Sequence, residues 1–122
     1  MCGIVGIASA ENQFNNKEWL RIGVNTLNHR GPDGEGIWWH ENNKVGFGHK
    51  RLSIIDISNN GKQPMHFQER GISIIYNGEI YNHKEIRKKL KSYGYNFNSK
   101  TDTEVLLKAY AHWGKNFTNF IN

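Results

Sequence analysis

The chain opens on a short apolar run, Gly3 to Ser9, rich in β-branched residues, and this pattern predicts a buried first strand. Apolar positions then recur at helical spacing through Trp19, Leu20, Ile22, Val24 and Leu27, predicting a helix capped by Asn15 or Asn16 and ending near His29. The stretch His29-Arg30-Gly31-Pro32-Asp33-Gly34-Glu35-Gly36 holds three glycines and a proline, which cannot continue a helix and mark a loop. Strands are expected at Ile37 to His40 and Val45 to His49, joined by a Glu-Asn-Asn turn, with another apolar run from Leu52 to Ile57. Ile72 to Tyr76 gives the clearest strand signal and stops at Asn77-Gly78. Two amphipathic helices follow, Tyr81 to Tyr93 closed by Gly94 and Asp102 to Trp113 closed by Gly114, with Asp102 standing where an N-cap would. Strand, helix, several strands and then two helices give an α+β order, not alternating βαβ units.

Composition narrows the class without naming a function. A length of 122 residues is one domain or less, large enough to bury a core without disulfides. Hydrophobic residues at 37% and charged residues at 22% are those of a globular chain, not a disordered one. The single cysteine, Cys2, excludes an intramolecular disulfide and a cysteine-rich zinc site, and fits a reducing, cytoplasmic setting. The six histidines show no metal-ligand spacing, so no metal is expected. No signal-peptide pattern follows Met1, and no apolar run approaches the roughly 20 residues of a membrane span. The formal charge of +5 is spread along the chain except for Arg87, Lys88, Lys89 and Lys91, which read as a solvated helix face with Ile86 and Leu90 turned inward. Neither nucleic acid nor membrane is an expected partner.

Two places carry residue types suited to chemistry. By itself Cys2 reads as an inert cysteine on the first strand. If Met1 is removed, however, the chain begins with a residue holding both a thiol and an α-amine that can serve as its base, directly or through one water. Asn77-Gly78-Glu79, at the end of a predicted strand, can aim a side-chain amide and a backbone N–H at one oxygen and set a carboxylate beside them. Alone, Asn-Gly is more often a turn.

The segments MCGIVGI, LNHRGPDGEGIW, GFGHKRLSIIDIS followed by GKQPM, IIYNGEIYNHKEIRKKL and TDTEVLL occur in that order from Met1 to Leu107. Together they resemble the glutaminase domain of glutamine-hydrolysing asparagine synthetase, a class II glutamine amidotransferase domain of the N-terminal-nucleophile hydrolase type. The resemblance extends to about Trp113 and implies a four-layer αββα sandwich. It implies that Cys2 attacks the amide of L-glutamine to form a thioester, with Asn77 and Gly78 as the oxyanion hole. It implies that Arg51 holds the substrate α-carboxylate, that Glu79 and Asp102 hold its ammonium group, and that Leu52, Ile54 and Ile55 help form the pocket. Arg30 is expected to support the geometry around Cys2.

The resemblance also implies what lies outside these residues. Phe117 to Ile121 begins an apolar run that stops at Asn122, so residues 1–122 are expected to be a partial domain, its sandwich incomplete. No Ser-Gly-Gly pyrophosphate loop occurs in the sequence. A separate synthetase domain, using ATP and magnesium to convert aspartate to asparagine with the released ammonia, is therefore expected elsewhere, with no cofactor in this domain. The competing readings are a glutaminase serving another ammonia acceptor and an inactive truncated remnant.

Overall fold

The structure, a computed structural model, describes residues 1–10, 17–53 and 59–122. Its elements mix α and β, as expected. They gather into two units, the first made of Met1–Ser53, Lys62–Pro64 and Ile75–Asn77, the second of the remaining described residues.

In the first unit, strand β3 (Val45–Arg51) lies at the centre of an antiparallel sheet, between β1 (Gly3–Ala8) and β2 (Gly34–Trp39). Helix α1 (Glu18–Thr26) packs on the face carrying Gly3, Val5, Gly46 and Gly48, burying Leu20 and Val24 completely. These two residues are four apart and share one stripe of the helix. Glycine is what lets the layers approach: a Cβ at Gly48 would fall 2.2 Å from Val24 Cγ2. The helix stops at Thr26, earlier than the predicted end near His29. Tight bonds from Leu27, Asn28 and Arg30 to carbonyls three residues back wind residues 27–30 into turns. The expected caps Asn15 and Asn16 lie outside the described residues.

The opposite face of the sheet carries Ile4, Gly6, Phe47, His49 and Arg51, and residues from the 62–64 and 75–77 segments lie against it. Those segments explain why the strongest predicted strand is cut short. Strand β5 covers Ile72–Ile74 only, paired with a strand the sequence pattern did not reveal, β4 (Met65–Phe67). The register pairs Met65 with Ile74, so the next pair would be Pro64 with Ile75. Proline has no N–H to continue the ladder.

The second unit contains this hairpin, turned at Gly71 (φ 63°), with helices α2 (His83–Ser92) and α3 (Asp102–Trp113). Helices α2 and α3 pack together, and Ile86 and Leu90 of α2 and Val105, Leu106, Leu107 and Ala109 of α3 are buried in the core of this unit. The N-cap of α3 is Thr101, whose hydroxyl accepts the Glu104 N–H; Asp102, the cap expected from sequence, is the first helical residue instead. Glu104 is buried yet charged. It accepts the Asn98 and Ser99 amides, the Ser99 hydroxyl and, at 2.8 Å, Lys108 Nζ. Burial raises its pKa, but the Lys108, Asn98 and Ser99 hydrogen bonds outweigh this and hold it below the usual carboxylate range.

The basic cluster on α2 is only partly a solvated face. Arg87 donates to the Ser99 and Thr101 carbonyls at 2.7 and 2.8 Å and lies over the Phe97 ring, while Lys89 sits over Trp113 and Phe120. Two of the four cations thus brace the α2–α3 pair. No helix among the described residues is long and apolar enough to cross a membrane.

Candidate active site

Cys2 sits just before β1, at the sheet edge where β3 ends. Its half-buried thiol is free, and Sγ accepts the Leu52 N–H at 3.3 Å. Arg30 donates from Nε to the Cys2 carbonyl at 3.1 Å, which fixes the backbone of the residue. Met1 is 77% exposed, so the residue preceding the thiol projects into solvent.

The glycine-proline loop is folded onto the end of β3. A Cβ at Gly31 would fall 2.4 Å from the Lys50 carbonyl carbon, so only glycine fits between loop and strand. Asp33 closes the contact from both its ends: its N–H donates to the Arg51 carbonyl at 3.0 Å, and its carboxylate accepts the Ser53 N–H at 2.7 Å. Arg51 and Leu52 are thereby held in one braced segment beside Cys2. Arg30, expected beside Cys2, meets it at the backbone carbonyl. Asp33 belongs to the same arrangement and was not singled out from sequence, although Pro-Asp-Gly marked a turn there.

Asn77 is exposed and ends the first unit. Gly78 and Glu79, also exposed, begin a stretch of the second. There Asp102, 6% exposed, accepts the Ile80 N–H through Oδ2 at 3.1 Å. Asp102 thus holds the backbone of the residue next to Glu79. The first unit brings together Cys2, Arg30, Arg51 and Leu52. Ile54 and Ile55, expected in the pocket, lie outside the described residues.

One buried titratable residue escaped the sequence reading. His49, two positions before Arg51 on the same sheet face, is 1% exposed. Burial, then repulsion from Arg51, lowers its pKa from 6.5 to about 4 against a raising hydrogen bond with the Tyr76 backbone. The ring is neutral at pH 7.

This geometry has a family. A profile described as "Glutamine amidotransferase domain" matches residues 1–122, and the chain belongs to that family. More particularly, it is 43% identical over 116 residues to asparagine synthetase [glutamine-hydrolyzing] 1 of Bacillus subtilis, covering 93% of this chain and 18% of that protein. It is 40% identical over 125 residues to asparagine synthetase [glutamine-hydrolyzing] 3 of the same organism, covering 100% of this chain and 20% of the relative. An amidase of Gibberella zeae is 38% identical over 104 residues, with 85% of this chain and 15% of the amidase covered. The chain thus spans about a fifth of the length of these relatives.

Proposed function

We propose that the chain hydrolyses L-glutamine to glutamate and ammonia, with Cys2 as the nucleophile. The observation that carries this reading is the Cys2 thiol itself: free, half-buried and set against the braced Leu52 amide at the end of β3. Removal of Met1 supplies the second component, the α-amine of Cys2, as general base.

In this reading the amine takes the thiol proton and Sγ attacks the carbon of the glutamine side-chain amide. The Asn77 amide and the Gly78 N–H receive the negative oxygen of the tetrahedral intermediate. Collapse breaks the C–N bond, the ammonium form of the terminus returns the proton to the leaving nitrogen, and ammonia departs from a γ-glutamyl thioester. Water, deprotonated by the same amine, then attacks the thioester; glutamate leaves and the thiol is restored. Arg51 holds the α-carboxylate with its forked guanidinium. Glu79 and Asp102 hold the α-ammonium group, and Leu52, Ile54 and Ile55 shape the pocket, with Arg30 fixing the Cys2 backbone. No step in this half-reaction uses a cofactor.

The complete fold is proposed as the four-layer αββα sandwich, of which residues 1–122 are a part. In the longer protein, ammonia passes to a synthetase domain that uses ATP and magnesium to convert aspartate to asparagine. The relatives named asparagine synthetase support this acceptor; a second reading keeps the same glutaminase with a different acceptor, and one relative is named an amidase and not an asparagine synthetase.

Treatment with an electrophilic glutamine analogue, followed by intact-mass and peptide analysis, tests the assignment. The prediction is one adduct, on residue 2, formed only on molecules that have lost Met1. An adduct elsewhere, or equal labelling of Met1-retaining chains, would contradict it.

A further inference from the structure

Asn77 has to present its amide at one fixed position, yet it lies beyond the end of β5, where Pro64 interrupts the ladder. The residue before it is held by side chains instead. The Tyr76 N–H donates to Gln63 Oε1 at 2.6 Å, and Gln63 is 8% exposed. The Tyr76 backbone also bonds the imidazole of His49, in the sense that favours the protonated ring, so a ring N–H donates to the Tyr76 carbonyl. Among the described residues His49 Nε2 has no partner, so Nδ1 is assigned as the donor. Both polar groups of Tyr76 are therefore gripped, one by each side chain.

The two grips share a foundation. His49 lies across from Gly36 in the β2–β3 register. Gly36 in turn lies beneath Gln63: a Cβ there would fall 1.9 Å from the Gln63 carbonyl oxygen. The sheet face that carries Arg51 thus fixes His49 directly and Gln63 through contact with Gly36. A buried histidine and a buried glutamine, each polar at a site where an apolar residue would pack without desolvation cost, need a compensating use for their polar atoms.

We propose that Gln63 and His49 are positioning residues for glutamine hydrolysis, which together lock the Tyr76 peptide and so set the Asn77 amide for the oxyanion. This rests on the glutaminase reading above. Neither side chain touches substrate in this scheme, so their loss lowers turnover and leaves binding through Arg51 in place. A displacement of about an ångström at a catalytic group costs up to about a hundredfold in rate.

The test compares Gln63→Leu with Gln63→Glu, and His49→Leu with His49→Asn. The leucine variants lose the grip; the glutamate keeps an acceptor, and the asparagine keeps a donor near the Nδ1 position. The expected result is a ten- to hundredfold fall in kcat for the leucine variants with KM within about threefold, and recovery of most of it in the conservative ones. Unchanged kcat, or loss of kcat without recovery in either conservative variant, would overturn the proposal. Amide hydrogen exchange gives a readout that does not need turnover. Tyr76 and Asn77 should exchange at least about tenfold faster in the leucine variants while Val5 and Gly48, within the sheet, hold their protection. Equal exchange at Tyr76 would equally overturn it. A wild-type chain that releases no glutamate contradicts the glutaminase reading, and the exchange rates then still decide whether Gln63 and His49 fix Tyr76.

Discussion

Replacing Glu104 by Gln removes one negative charge from the second unit and almost no volume. The wild-type carboxylate is 5% exposed and accepts from the Asn98 and Ser99 amides, the Ser99 hydroxyl and Lys108 Nζ. Glutamine keeps one acceptor oxygen but turns an NH2 group toward donors and leaves the Lys108 ammonium, itself buried, without its counter-charge. Breaking one side of a buried ion pair costs about 3–5 kcal/mol. With hydrogen bonds to charged groups worth about 1.5–3 kcal/mol each and not additive, a loss of roughly 3 kcal/mol is expected. The carboxyl is held below its ordinary 4.5, so its contribution is complete above that pH and is lost as pH falls through the folded-state value. Urea unfolding followed by circular dichroism at pH 7 should therefore show the midpoint falling by about 1–2 M with the slope unchanged. The variant should also lose part of the wild-type acid sensitivity below pH 4.5. A midpoint within about 0.3 M of wild type would refute the reasoning, because it would mean that water, not Glu104, solvates Lys108. The consequence reaches the proposed site: Glu104 anchors the 98–99 turn on the first turn of α3, where Asp102 stands.

Gly48→Ala places a methyl carbon 2.2 Å from Val24 Cγ2 and 2.8 Å from Val5 Cγ1, and should destabilise the first unit by about 1–3 kcal/mol, read as a lowered thermal midpoint. His49 binds its proton at about pH 4 when folded and at 6.5 when unfolded, so the unfolded chain takes up protons first and stability falls as pH drops across that window. The integrated loss is on the order of 3 kcal/mol, and His49→Phe should flatten this segment of the stability profile; an unaltered slope contradicts the buried, neutral ring. Arg51→Lys should raise KM for glutamine about tenfold or more with a smaller change in kcat, because an ammonium cannot form the two parallel bonds of a guanidinium; steady-state kinetics decide it.

The parts of the fold that were readable from sequence are those whose packing follows a simple period. Leu20 and Val24 of α1 and Ile86 and Leu90 of α2 repeat at helical spacing, α3 carries the apolar run Val105–Leu107 with Ala109, and each turned out to be core. Strand β4 has three residues, too few to show a period, and its existence depends on Ile72–Ile74 elsewhere in the chain. The overestimate of β5 has a local cause, since periodicity continues to Tyr76 while Pro64, its would-be neighbour's partner, cannot pair. The misplaced cap on α3 is of a similar kind. Thr101-Asp102-Thr103-Glu104 offers three capping-type residues in a row, and Thr101 takes the cap because its hydroxyl reaches the Glu104 N–H.

The candidate site divides along the same line. Cys2, Arg51, Asn77, Gly78, Glu79 and Asp102 could be named as candidates because their motifs occur together and in order. The residues bonded to the backbone around them could not. Asp33 acts through backbone groups of Arg51 and Ser53, and His49 and Gln63 act on the backbone of Tyr76. Bonds between a side chain and a distant peptide leave no spacing rule in the sequence, and only the register of β3 reveals them.

The central claim is that Cys2 is the nucleophile of glutamine hydrolysis. Release of glutamate and ammonia from L-glutamine, measured side by side for the full chain with Met1 removed and for Cys2→Ala, tests it most directly. Release is expected from the first and none above the uncatalysed rate from the second, at equal folded concentration. Equal release by both would contradict it.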